Sequence, residues 1–171
     1  MSALKIRIFP DSILRKKAKK IPSIGDIEKK ELSEMAKAMY LAKGVGLAAV
    51  QVGIDKQLAV IDIGDGLIKM ANPAIVKKEG SLVMEEGCLS VPEVCVKVKR
   101  ANSIIVNYLD ESGQARQLRA TGLLARAVQH EIDHLCGTLI IDYTNPVKKI
   151  IIKRRLSRKK STRNSPPKPY S

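Results

Sequence analysis

The stretch Gln129-His130-Glu131-Ile132-Asp133-His134-Leu135-Cys136-Gly137 holds the only two histidines of the chain, four residues apart, with a glutamate directly after the first. On a helix, residues i and i+4 lie one above the other, so both imidazoles can reach one metal ion. Glu131 is rotated by roughly 100° from His130, which sets it beside such an ion rather than among its ligands. Local signals agree with a helix. Thr121 stands at an N-cap position, and Leu123, Leu124, Ala127, Val128, Glu131, Ile132 and Leu135 recur at helical spacing. Gly137 suits the position after the C-cap. Two histidines on one helix face can also be ordinary surface residues; with no other histidine in the chain, the metal reading is the stronger.

Two imidazoles do not close a site, because catalytic zinc-type centres take three protein ligands and leave one position open. Cys136 follows His134 by two residues and points about 200° away on the helix. Cys95 falls in the alternating run Val94 to Lys99, where a cysteine is commonly a small core residue. Cys88, between Gly87 and Leu89 at a break in the strand pattern, is the expected third ligand.

The 171 residues, 44% hydrophobic, fit one domain with a core of its own. No run approaches the ~18 apolar residues of a membrane span, and the first residues lack the apolar core and cleavage pattern of an export signal. Three cysteines make no disulfide scaffold, which suits a reducing cytoplasm. Of the net charge of +14, +10 lies beyond Asp142, where no acidic residue follows.

The remaining elements frame the helix. Leu4 to Phe9 is expected as a short strand or extended arm, and Asp11 as the cap of a brief helix over Ser12 to Arg15. Leu32, Met35, Ala36 and Met39 give an amphipathic helix over Asp26 to Lys43, ended by Gly44. The small residues of Gly44-Val45-Gly46-Leu47-Ala48-Ala49-Val50-Gln51-Val52-Gly53 permit close backbone approach. They lack the lysine and the preceding strand of a phosphate loop. Strands follow over Gln57 to Ile63 and Leu67 to Met70, with Asn72-Pro73 breaking the pattern before Ala74 to Lys78. Val94, Val96 and Val98 mark a half-buried strand, and Ser103 to Leu109 with Gln114 to Ala120 a hairpin. Strands without regular βαβ alternation give an α+β class, mostly antiparallel sheets around the central helix. Asn145 and Pro146 open a last helix, docked by Val147, Ile150 and Ile151. Pro166, Pro167 and Pro169 forbid its continuation, and disorder is expected from about Ser161. The domains are a catalytic unit over 1–147 and a basic extension over 148–171.

Three motifs, Gly44 to Gln51, Glu86-Gly87-Cys88-Leu89-Ser90 and Gln129 to His134, together resemble the signatures of the bacterial peptide deformylase family, over about residues 4 to 147. The resemblance implies a hydrolase that removes the formyl group from N-formylmethionine of nascent proteins and releases formate. It implies one divalent ion per chain, Fe(2+) or Zn(2+), with nickel or cobalt in some members, held by Cys88, His130 and His134. Glu131 would be the acid/base, and Gln51 with the N–H of Leu89 would hold the oxyanion. Val45, Gly46 and Gly87 would meet the peptide, and Met84, Leu123 and Ala127 would line the methionine pocket. Asp133 would pair with Arg100 and brace the helix. The expected partners are formylmethionyl peptides and, through the basic tail, the ribosomal RNA surface; the protein is expected to be a cytoplasmic monomer.

The chain departs from the common pattern at Val50, where proline is usual, at Cys95, a frequent arginine, at Cys136, a frequent asparagine, and at Arg126, where an apolar residue is usual at the pocket rim. A zincin-like protease shares HExxH but takes its third ligand downstream, and neither histidine nor glutamate follows His134. An RNA-binding protein with a structural metal would account for the basic tail, yet one Phe, four Tyr and no Trp leave few stacking platforms.

Overall fold

The computed structural model describes residues 4–163. Helix α1 (Asp26–Leu41) starts where the Gly25 N–H is accepted by Glu28 Oε2 at 3.0 Å. It buries Leu32, Met35, Ala36 and Met39, the four residues whose spacing predicts it. It ends two residues before the expected Lys43, because Lys43 takes a left-handed φ of 54° and Gly44 N–H closes the turn on Met39 O at 3.0 Å. The segment before α1 is an arm rather than a strand: Arg7 N–H donates to Gln51 O at 2.7 Å and Phe9 N–H to Ser90 O at 2.9 Å. Asp11 caps the 3₁₀ turn Ser12–Arg15 through Ile13 N–H.

Strands β1 (Gly46–Ala48), β2 (Leu58–Ile61), β3 (Ile68–Glu79), β6 (Ser103–Leu109) and β7 (Ala115–Thr121) form one antiparallel sheet in the order β1-β2-β3-β6-β7. A separate hairpin pairs β4 (Leu82–Cys88) with β5 (Val91–Arg100). One expectation is corrected here. Asn72-Pro73 does not divide the chain into two strands; β3 runs through it, with a register shift between Ala71 and Ala74. The bulge takes the proline, which has no N–H to give, out of the ladder. Asn72, at φ 50°, uses its amide to bind both backbone groups of Ile21.

Helix α2 (Gly122–Leu135) packs on the large sheet. Its residues Ala125, Ala127 and Val128 pack with Ile61, Met70, Ile104, Val106 and Ala120 of the large sheet, and each valine, isoleucine or methionine side chain taken from water stabilises by roughly 1.5–3 kcal/mol. Thr121 occupies the N-cap position without its hydroxyl accepting a capping hydrogen bond; the turn is made instead by Gly122 at φ 55°, whose N–H donates to Asn102 O at 2.9 Å. After Cys136 the chain turns at Gly137, φ 77°, where a Cβ would stand 2.6 Å from Arg15 O.

The last helix, α3 (Pro146–Arg163), is capped as expected, with Asn145 Oδ1 accepting from Lys148 N–H at 2.8 Å. Its docking face is not the expected one. Val147, Ile150 and Ile151 are 69%, 50% and 61% exposed, whereas Ile152 and Leu156 are buried against Phe9, Leu14, the valines of β5 and Leu139 to Ile141. Ile152 and Leu156 lie one above the other at i and i+4. Burial of these two side chains sets the helix rotation, and Lys149 pairs with Asp142 at 2.6 Å beside them. The helix runs past Ser161 to Arg163, and the expectation for the prolines at 166, 167 and 169 lies outside the described residues. The boundary expected at residue 147 falls inside its first turn. Among the described residues no helix is long and apolar enough to cross a membrane.

Candidate active site

Three candidate ligands, one cysteine and two histidines, meet where α2 faces the β4–β5 hairpin. Cys88 Sγ lies 3.1 Å from His134 Nε2, and that nitrogen 3.2 Å from His130 Nε2. All three ligand atoms fall within 4.8 Å of one another. The helix supplies the histidines at i and i+4. The hairpin supplies Cys88 because a register shift between Glu86 and Cys88 interrupts the ladder and re-aims the side chain. Cys95 and Cys136 are exposed and take no part.

The donor set fits a divalent cation. His130 Nδ1 meets Glu86 Oε2 at 3.1 Å, an arrangement that suits a proton on Nδ1 and turns Nε2 toward the other ligand atoms. Without such a cation, two ring nitrogens and a thiol would crowd at hydrogen-bond distance. Burial disfavours the His130 cation, yet Cys88 and Glu86 outweigh it and raise its pKa well above the ordinary value. Burial and the neighbouring His130 push His134 well below. One thiolate and two imidazoles suit iron, zinc, nickel or cobalt.

Glu86 is the electrostatic hinge of this region. Arg100 grips it with Nε on Oε1 and Nη2 on Oε2, both at 2.9 Å, and Arg126 Nη1 reaches Oε1 at 2.6 Å. Burial pulls the Glu86 carboxyl up, but the hydrogen bonds from Arg100 and His130 prevail and hold it at about 2. Arg100 also donates to Asp133 Oδ2 at 2.6 Å, which accepts from Tyr143 Oη at 2.7 Å as well. Asp133 thus faces away from the ligands and braces α2 on Arg100, as the resemblance implies.

Glu131 is buried at 3% exposure, with Oε2 lacking a partner among the described residues. Burial pushes its carboxyl up to about 7, against the opposing pull of His130. The close approach expected of the small residues occurs here: a Cβ on Gly46 would stand 2.3 Å from Glu131 Oε1. Gln51, 1% exposed, is oriented by Ala48 N–H on its Oε1 at 2.8 Å, so its Nε2 points to Ser90 Oγ at 3.2 Å and Cys88 Sγ at 3.7 Å.

These groups line one cavity of about 400 Å³. Val45, Gly46, Gln51, Gly87, Cys88, Leu89, Leu123, Ala127, His130 and Glu131 all border it, and His134 lies beneath. Met84 does not border it; it stands on β4, 44% exposed. Arg126 borders the cavity as expected, but it is buried at 6%, with its guanidinium on Glu86, Val98 O and Leu82 O. Sequence reasoning gave Glu86 no role and Arg126 only a place at the rim, and no spacing rule could have joined them, since they are forty residues apart.

A sequence model of the family described as polypeptide deformylase matches residues 3–150. The chain is 44% identical over 165 residues to the peptide deformylase of Thermodesulfovibrio yellowstonii, covering 94% of this chain and 100% of that one. It is 49% identical over 137 residues to that of Thermoanaerobacter pseudethanolicus, covering 80% and 86%. The crystal structure of a peptide deformylase from Legionella pneumophila matches with a TM-score of 0.89 at 39% identity, over 96% of this chain and 100% of that one. A peptide deformylase from Ehrlichia chaffeensis in complex with actinonin matches at 0.90 and 34% identity, over 93% and 98%. In sequence and in fold alike, the chain belongs to the polypeptide deformylase family.

Proposed function

We propose that the protein is a metal-dependent peptide deformylase, hydrolysing the formyl amide of N-formylmethionyl peptides to formate and a free amine. The observation that carries this reading is the convergence of Cys88, His130 and His134 beside a buried, unpartnered Glu131 oxygen, at one cavity. Cys88, His130 and His134 would hold a divalent ion, which would supply Lewis acidity toward water and the amide. Glu131 takes the proton of the attacking water at its free Oε2 and returns it to the departing amine, a role suited to a carboxyl near 7. Gln51 Nε2 and the Leu89 N–H stabilise the oxyanion. Strand β1 is the edge of its sheet, so an extended peptide can pair along Val45 and Gly46, with its methionine toward Leu123 and Ala127.

The ion is Fe(2+) or Zn(2+), with nickel or cobalt as functional substitutes, and metal analysis of protein purified without oxygen distinguishes them. The enzyme works as a monomer in the cytoplasm. Helix α3, with Lys153 and Arg154 exposed, meets ribosomal RNA as substrate emerges. The decisive assay measures amine release from formyl-Met-Ala-Ser beside acetyl-Met-Ala-Ser. Turnover of the formyl peptide alone is expected; equal turnover of both, or of neither by metal-loaded protein, overturns the reading.

A further inference from the structure

The candidate metal ligands come from two bodies that share no apolar core. The valines of β5 pack in a cluster with Phe9, Leu14, Leu139 to Ile141, Ile152 and Leu156, and no residue of α2 belongs to it. The apolar residues in the middle of α2 pack instead with the large sheet, in a cluster without β4 or the β5 valines. Cys88 rides on the first body and His130 with His134 on the second, so their relative position depends on what crosses the seam.

Two arginines cross it. Arg100, on β5, reaches Asp133. Arg126, on α2, reaches three points of the hairpin: Glu86 Oε1 at 2.6 Å and Leu82 O at 2.9 Å on β4, and Val98 O at 3.2 Å on β5. Glu86 stands two residues before Cys88 and also meets His130 Nδ1. Arg126 lies one helical turn before His130. A single buried side chain therefore fixes both strands of the hairpin to the helix, through the carboxylate that orients one histidine.

We propose that Arg126 is a positioning residue that locks the β4–β5 hairpin onto α2 and so sets how firmly Cys88, His130 and His134 hold a metal ion together; the inference rests on the metal-site reading above. A planar guanidinium can serve two carbonyls and a carboxylate at once, whereas a lysine at the same place serves Glu86 and forfeits the fork. Arg100 keeps Glu86 paired and the hairpin docked when Arg126 is replaced, so the effect falls on geometry rather than on folding.

The test loads the full chain and its R126K and R126M variants with Co(II) without oxygen. It records the thiolate-to-cobalt charge-transfer and ligand-field bands, then the rate of cobalt loss to a chelator, well below each protein's unfolding temperature. The expected order of loss is wild type slowest, R126K between and R126M fastest, R126M by about 10–100-fold, with weakened tetrahedral bands in R126M. A purely structural role would lower the unfolding temperature and leave bands and rates unchanged. Equal rates and bands in all three proteins overturn the proposal. If R126M does not fold, R126K decides alone: it must release cobalt faster than wild type, and an equal rate overturns the proposal. Failure of the site reading looks different, because wild type and C88S would then give the same cobalt spectrum.

Discussion

Gly46→Ala is the sharpest perturbation the site offers. The added Cβ would lie 2.3 Å from Glu131 Oε1 and 2.9 Å from its Cδ, whereas ordinary contact begins at 3.4 Å, so something must move by about 1.1 Å. Strand β1 cannot retreat easily: Gly46 pairs with Ile61, and Leu47 and Ala48 are fully buried. The carboxylate moves instead. Misplacing a catalytic group by about 1 Å costs on the order of 10²-fold in rate, equivalent to about 3 kcal/mol of barrier. The expected result is kcat for formyl-Met-Ala-Ser reduced about a hundredfold, with bound metal per chain unchanged, because the three atoms nearest the new methyl all belong to Glu131. Loss through peptide binding would show as a raised KM at nearly constant kcat. A kcat within threefold of wild type in fully metallated Gly46→Ala would refute the reasoning.

Other outcomes follow from the same geometry. Glu131→Ala should keep stoichiometric metal while kcat falls by at least ~10²; loss of metal would make Glu131 a ligand. Cys88→Ser should lose metal and turnover, because a serine hydroxyl does not ionise as a thiol does, while Cys95→Ser and Cys136→Ser keep both, as metal content and assay will show. For Asp142, burial works upward, but Arg15, Lys149 and the Leu139 N–H prevail and hold the carboxyl at about 2 against 3.8. A depressed carboxyl contributes stability above its unfolded pKa and loses it as pH falls through the folded one. Asp142→Asn should therefore cost at most about 2 kcal/mol at neutral pH, and the gap in urea unfolding should close between about pH 4 and pH 2. Lys153→Glu with Arg154→Glu should leave short-peptide turnover unchanged and reduce low-salt co-sedimentation with ribosomes; equal sedimentation removes α3 as the contact.

The sequence made the histidine helix legible because a period of 3.6 and a metal both demand the same spacing. Cys88 was legible by elimination among three cysteines, and the buried face of β5 by its alternating valines. Strand β3 was misread at Asn72-Pro73 because local propensity cannot foresee a bulge that the neighbouring β6 accommodates. The docking face of α3 was misread because Val147, Ile150 and Ile151 have the hydrophobicity of an anchor, while the surface that takes Ile152 and Leu156 is assembled from Phe9, Leu14 and β5, segments distant in sequence. Arg126 was read only as a departure from an apolar residue at the pocket rim, and its pairing was not legible, since its acceptors come from a hairpin distant in sequence.

Order of synthesis acquires a meaning from the cluster beneath the hairpin. Phe9 and Leu14 leave the ribosome early, the valines of β5 midway, and Ile152 and Leu156 near the end, yet all of them belong to one cluster. Until the last helix arrives, the underside of the strand pair carrying Cys88 lies open to water, and such surface attracts chaperones and proteases. Contacts this far apart in sequence also form slowly, since the loop they close is nearly the whole chain. A nascent copy therefore completes the support of its own thiolate only once its C-terminal helix is free. Truncated copies ending before Ile152 should accumulate as uncovered, degradable chains rather than as partly active ones.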